Sequence, residues 1–175
     1  MLSILPDPVV CFADANYSQT QVIELTPSSN LVLLDWLTAG RIALGENWAL
    51  KKLCSSSKIY IDNVLIVNES VTLSDTPTLT LRESMGEYKA LAFCVILGPE
   101  LAELWRKVLK DLGAVQAYGS KPNPAMFKSA SPLCPTAHAE PIGCVVRICA
   151  SSTAMVYTAL QDILQPLFPV LGANP

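Results

Sequence analysis

YSQTQVIEL, residues 17–25, decides the fold class. Gln19, Gln21, Ile23 and Leu25 fall on one side of an extended chain and Thr20, Val22 and Glu24 on the other, the period-two signature of a β-strand. PVVCFA, NLVLLDWL, KIYIDNVLIV, SVTL, TLTLRE and ALAFCVIL read the same way, with Pro, Ser, Asn and Asp between them as turn formers. The first hundred residues are therefore expected to form closely spaced strands, and the chain is mainly β.

The period changes at LGPELAELWRKVLKDLG. Leu101, Leu104, Trp105, Val108, Leu109 and Leu112 recur at helical spacing, with Pro99 suited to a first helical turn and Gly113 to its close. Glu100 and Glu103 meet the positive end of that helix and Lys107 and Lys110 its negative end, so a helix is expected over about 99–112. After the strand GCVVRICA, Ser151 or Ser152 can cap a second helix over about 152–168. Its stripe is Met155, Val156, Ala159, Leu160, Ile163, Leu164 and Leu167, and Pro166 and Pro169 end it. Between the helices, 114–142 reads as a Pro-rich loop, either disordered or a contact surface, inside one domain covering 1–175.

Composition excludes several classes of function. With 51% apolar and 15% charged residues the chain can build a core, and a formal net charge of -3 argues against a nucleic-acid surface. No Lys or Arg precedes Arg41, and Pro6 and Pro8 interrupt the start, which argues against a signal peptide. No apolar run nears the ~20 residues needed to span a bilayer. A soluble, cytoplasmic protein with no membrane partner is expected.

The chemistry of an enzyme is not evident. The six cysteines contain no C-x-x-C pair and mostly sit in apolar strings, so they read as reduced core thiols. Cys134, His138 and Cys144 are close enough in sequence to collect a soft ion, a weak alternative because His138 is the single histidine. Phosphate-loop, dinucleotide, nucleophile-elbow and H-E-x-x-H motifs are all missing. A hydroxyl-imidazole-carboxylate triad would have to use His138, in a segment with poor positional control.

LLDWLTAGRIALGENWAL, residues 33–50, is less ordinary, because it places two Gly-charge units between two tryptophans. Gly40 and Gly45 permit backbone angles and close approaches that a Cβ forbids, so Arg41 and Glu46 are positioned side chains. Arginine offers a planar fork for a carboxylate, whether Glu46, Asp35 or one on a partner protein. Asp35, inside a strongly apolar strand, and Glu46 are the carboxylates expected to be partly buried and paired, with arginine the natural partner.

LxDWLTAGRxALGExW resembles the signature segment of the D-type urease accessory proteins. ILPDPVVCFADANYSQTQVIELTPSSNLVLLDW, SMGEYKALAFCVILGP and VVRICASSTAMVYTALQDILQPLFPVLG resemble, in order, that family's entry, middle and closing segments. The family also carries an earlier portion with a Gly-rich segment, so the chain corresponds by resemblance to a C-terminal portion. Strands that would pair with the earlier part are then expected to present open edges.

The resemblance implies a β-helical, many-stranded arrangement with two helices and a non-catalytic scaffold role. Its partners would be urease apoprotein, an F-type accessory protein and, through the complex, a G-type GTPase accessory protein that hydrolyses GTP while nickel is delivered. No cofactor would be tightly bound, and nickel would be handled transiently, which weak oxygen ligands suit better than a Cys/His cage. Gly40, Arg41, Gly45 and Glu46 are the candidates for a hinge near the partner surface or the polar passage, with Asp35 and Asp14 as weaker candidates for the passage. The alternatives are a generic interaction module unrelated to urease and a non-functional truncated form. A metal-dependent hydrolase built on Cys134, His138 and Cys144 is a remoter one.

Overall fold

The computed structural model describes residues 1–113 and 125–171. The strands are β1 (Leu2–Ile4), β2 (Val9–Val10), β3 (Asn16–Leu25), β4 (Leu31–Thr38), β5 (Lys52–Ile61), β6 (Val64–Ser74), β7 (Ala90–Leu97), β8 (Met126–Leu133) and β9 (Gly143–Ala150). The helices are α1 (Leu81–Met85), α2 (Ala102–Leu112), α3 (Thr153–Leu164) and α4 (Phe168–Leu171). Tight 3₁₀ turns at Pro99–Leu101 and Gln165–Leu167 extend α2 and α3 to nearly the spans expected from the sequence.

The strands form two sheets. The larger runs β1-β4-β7-β9-β8, with β2 beside β4 on the β1 side, and the smaller runs β3-β5-β6. From β2 to β5 the chain alternates between the sheets, and each return lays a strand parallel to an earlier one: β4 beside β1 and β2, β5 beside β3. That is a β-helical coil, and the later strands enlarge it by antiparallel pairing. The mainly β, many-stranded expectation is borne out.

Burial explains the two kinds of strand sequence. β4 lies between layers and is apolar almost throughout: Val32, Leu34 and Trp36 face the helices, while Leu31, Leu33 and Leu37 face the smaller sheet. β3 covers one face only and alternates as expected, with Ile23 buried and Val22 and Glu24 exposed. Leu104, Trp105 and Val108 of α2 and Val156, Ala159, Leu160 and Leu164 of α3 close the helix side over Cys94, Ile96, Val146 and Ile148. The Ser152 hydroxyl caps α3 by accepting from the Met155 amide at 3.3 Å.

Three segments differ from expectation. TLTLRE is not a strand: Thr80 and Glu83 form a reciprocal capping box that starts α1 at Leu81. KIYIDNVLIV is not one strand but a hairpin, because Asp62 (φ 48) and Asn63 (φ 64) both adopt the left-handed region that a two-residue turn needs. The Pro-rich loop is shorter than 114–142. Residues 126–133 form β8, an edge strand in which Pro132 opposes Cys144 without interrupting the sheet, since an edge position needs no second ladder donor. Positions 114–124 of that expected loop lie outside the described residues.

Candidate functional site

Two apolar clusters fill the space between the sheets. One contains Ile23, Leu31, Leu33, Ile59, Val67 and Val95; the other contains Leu37, Ala39, Trp48, Leu50, Leu53 and Leu81. The inward-facing residues at the level between them are polar on five strands. Asp35 falls between Leu33 and Leu37 on β4, Gln19 between Tyr17 and Ile23 on β3, Ser55 and Ser57 between Leu53 and Ile59 on β5, and Glu69 between Val67 and Val71 on β6. Arg147 of β9 completes the belt in register with Phe93, which itself opposes Asp35.

Asp35 and its neighbours join the sheets on one side. Gln19 Nε2 donates to Asp35 Oδ1 at 3.0 Å, and Ser55 Oγ donates to Asp35 Oδ2 at 2.7 Å. Gln19 Nε2 also lies 2.8 Å from Ser55 Oγ, while Tyr17 donates its hydroxyl to Gln19 Oε1 at 2.7 Å. Asp35 therefore takes neutral donors and not the arginine expected from the sequence. Across the belt, Arg147 Nη2 donates to Glu69 Oε2 at 2.6 Å, with the guanidinium 5.6 Å from the centre of the Phe93 ring.

Between these two bridges lies a cavity of about 210 Å³ lined by Asp35, Ser55, Ser57, Glu69, Phe93 and Arg147, among others. Ser57 is 1% exposed and its hydroxyl has no hydrogen-bond partner among the described residues, a costly arrangement. Asp35, Glu69 and the Ser55 hydroxyl are the oxygen donors of a wall that is otherwise mostly apolar, with Leu37, Val71, Leu91, Ala92 and Ile148 also lining it. Cys149 also lines the cavity, but burial pushes its thiol pKa up and disfavours the thiolate a soft metal needs.

The Gly-charge units form a second feature. Gly40 (φ 112) follows β4, and a Cβ there would lie 3.1 Å from the Cys11 carbonyl oxygen; Gly45 (φ 82) closes the 3₁₀ turn Ile42–Leu44. The fork of Arg41 grips Glu46 through both nitrogens, Nε to Oε2 at 2.9 Å and Nη2 to Oε1, and the Ala13 amide adds a contact to Oε2 at 3.3 Å. Hydrogen bonding to Arg41 lowers the Glu46 pKa, and the same bond raises that of Arg41. Arg41 also covers the Phe12 ring at 4.2 Å. The closed turn presents Phe12, Ile42 and Leu44 to solvent, and neither Arg41 nor Glu46 lines the belt cavity.

Asp14 is apart from the belt. It occupies an exposed left-handed turn (φ 59), its amide donating to the Ala49 carbonyl at 2.9 Å, and it does not line the cavity. The weak metal set is likewise dispersed: Cys144 is fully buried on the helix side, His138 is exposed, and Cys134 lies on the loop after β8. Burial pushes the Cys144 thiol up to about 12. The described residues contain no group of three or more His, Cys, Asp or Glu placed to hold a metal.

Gln19, Ser55, Ser57, Glu69 and Arg147 were missed by the sequence reading. Their signal was polar residues at inward positions of alternating strands: Leu53, Ser55, Ser57 and Ile59 share one face of β5, and Gln19 shares the face of Ile23.

A β-helical coil backed by helices, with a polar belt through an apolar interior, is the class of protein that fold and site define. Residues 1–175 match the family model described as "UreD urease accessory protein", and the chain belongs to that family. It is 34% identical to urease accessory protein D of Arabidopsis thaliana and 33% identical to that of Oryza sativa subsp. indica, each over 100% of this chain. It is 33% identical, again over 100% of its length, to urease accessory protein UreD of Sorangium cellulosum. The chain spans 65%, 62% and 52% of those three relatives respectively. Among the described residues, no helix is long and apolar enough to cross a membrane.

Proposed function

We propose that the protein acts without catalysis in urease maturation, as a scaffold that binds urease apoprotein together with an F-type accessory protein and, through the complex, a G-type GTPase. Nickel is the cargo of this assembly, and the inter-sheet belt is the path along which it is handled transiently. The single observation that carries the reading is the belt itself. A sandwich selected only for stability would fill the level between Leu33 and Leu37 with aliphatic side chains, yet this one holds Asp35, Glu69 and an unpartnered serine there. Family membership supports an interaction with urease and its accessory proteins, and we read the work as cytoplasmic.

The closed turn at Gly40–Glu46 is read as part of the partner-contacting surface, because an ion pair fixes it while its apolar side chains stay exposed. The test is co-expression of the full-length protein with its host's urease apoprotein and F-type accessory protein, followed by affinity capture and size-exclusion chromatography. Co-elution of all three supports the scaffold reading, and separate elution refutes it. Arg41→Ala and Glu46→Ala are expected to weaken capture. If both leave assembly and urease activation unchanged, the turn has no such role.

A further inference from the structure

We infer that the outer edge of β6 is a docking slot for an extended segment of a protein partner, which adds a strand to the smaller sheet and sets apolar side chains into two cavities beside it. The inference rests on the scaffold reading above and gives that scaffold a second contact surface. A mismatch between the sheets points there. β6 ends the smaller sheet and is bridged through Glu69 to Arg147 of β9, whereas the larger sheet runs one strand further, to β8. Phe127 and Ser129 of β8 share the inner face with their register partners Cys149 and Arg147, and Phe127 is 39% exposed there. One strand beside β6 would cover that face.

The edge itself is open to pairing. β6 is 11 residues long and no strand lies on its outer side among the described residues, which leaves a row of backbone N–H and C=O groups free to pair. Edge strands are ordinarily guarded by lysine, proline or short length. β8, at the edge of the larger sheet, carries Lys128 and Pro132, but β6 has no Lys, Arg or Pro, and its one charge, Glu69, is paired with Arg147. β3 is the other edge of the smaller sheet, yet neither cavity is lined by a β3 residue.

The cavities define the segment that fits. Towards one end of β6, Leu37, Val71, Leu91, Ile148 and Cys149 form the apolar wall of the belt cavity. Towards the other, Val64, Ile66, Leu97, Trp105 and Ile142 line a cavity of about 760 Å³, with the exposed Arg106 also on its wall. The β5 residues opposite Val64 and Val71 are Ile61 and Ser55, an even number of positions apart, so one face of an added strand reaches both cavities. The segment therefore carries two large apolar residues about six positions, or roughly 20 Å, apart, with a small or polar residue between them over the Arg147–Glu69 bridge. Arg106 lies 4.7 Å over the Trp105 ring and has no carboxylate in ion-pair range among the described residues, so an acidic residue beside the second apolar anchor completes the fit. A helix uses its backbone groups internally and cannot pair with the edge. A second copy of β6 does not fit either, because its inner face is held on its own β9.

The test is hydrogen–deuterium exchange with mass spectrometry on the full-length protein, alone and in its complex with urease apoprotein and the F-type accessory protein. Residues 64–74 are expected to exchange readily in the free protein and to slow at least about tenfold on assembly. Protection already present in the free protein, which would mean that another part of the chain occupies the edge, overturns the inference, as does exchange unchanged by assembly. A variant tests the cavity without altering β6: Ala102→Phe places a ring on the wall of the larger cavity and should weaken capture of the partners about tenfold at unchanged Tm, while Ala102→Ser stays near wild type. Capture by a folded Ala102→Phe equal to wild type also overturns it, and the exchange measurement on the wild type decides if that variant fails to fold. Absence of co-elution refutes the scaffold reading and this inference together, whereas co-elution with unchanged β6 exchange refutes the slot alone.

Discussion

Replacing the Asp35 bridge separates a polar belt kept for function from one that holds the sheets together. Asp35→Ala removes an ionised acceptor from two donors, Gln19 Nε2 at 3.0 Å and Ser55 Oγ at 2.7 Å. Hydrogen bonds to charged groups contribute about 1.5–3 kcal/mol each, so the gross loss is about 3–6 kcal/mol. Two features reduce it. Gln19 and Ser55 keep their mutual contact at 2.8 Å, and Asp35 lines a cavity through which water can replace part of what is lost, so a net loss of about 2–3 kcal/mol is expected. In a chain of this size that corresponds to a fall in Tm of roughly 4–12 °C.

The combined variant Gln19→Leu, Asp35→Leu, Ser55→Val removes Asp35 and both its donors together, leaving the half-buried Tyr17 hydroxyl to turn to water. It joins the apolar clusters on either side of Leu33 and Leu37. Full replacement of a buried polar set by apolar groups is often neutral or stabilising, so the triple variant should fall within about 1 kcal/mol of wild type or above it. Urea denaturation of wild type, the single variant and the triple variant measures both values. A triple variant less stable than Asp35→Ala would refute the reasoning, because the belt would then be a stabilising device.

Further outcomes follow from the geometry. Gly40→Ala should cost about 1–3 kcal/mol by denaturation, since φ is +112 and the new Cβ meets the Cys11 carbonyl at 3.1 Å, whereas Gly45→Asn, in open space at φ +82, should cost less. Glu46 has its pKa lowered in the fold, so its contribution is complete above the unfolded value of about 4.3 and is lost as pH falls through the folded value. The stability difference between wild type and Glu46→Gln should therefore be constant from neutral pH to about pH 5 and shrink below it. Burial holds the Cys94 and Cys144 thiols up at about 12, so at pH 8 both should resist alkylation until the protein unfolds, while the half-exposed Cys54 and Cys134 react first, as mass spectrometry of labelled peptides can read.

Local periodicity carried most of the fold. The faces of YSQTQVIEL, the continuous apolar run of β4 and the stripe of α2 each register one dominant interaction, burial against a layer, and each was legible. Failures came where a short polar signal outweighs the period. Asp62 and Asn63 turn what looks like one strand into a hairpin, and the Thr80–Glu83 capping box turns an alternating TLTL run into a helix start. β8 escaped notice because MFKSASPL is weakly β-forming and contains a proline, and its place is secured by the partner strand β9.

At the site, Arg41 and Glu46 were legible because they are five residues apart and joined by one turn. The belt was not, since Gln19, Asp35, Ser55, Glu69 and Arg147 meet only through pairing that spans most of the chain. Asp35 was visible as an anomaly in an apolar strand, but the identity of its partners depends on the stacking of the two sheets.

The nickel content of urease matured in cells carrying the full-length protein with the triple belt replacement tests the central claim most directly, once capture has shown that the complex still assembles. The account predicts an assembled complex with urease that is poor in nickel and inactive. Urease with wild-type nickel content and activity would show that the cargo does not use the belt.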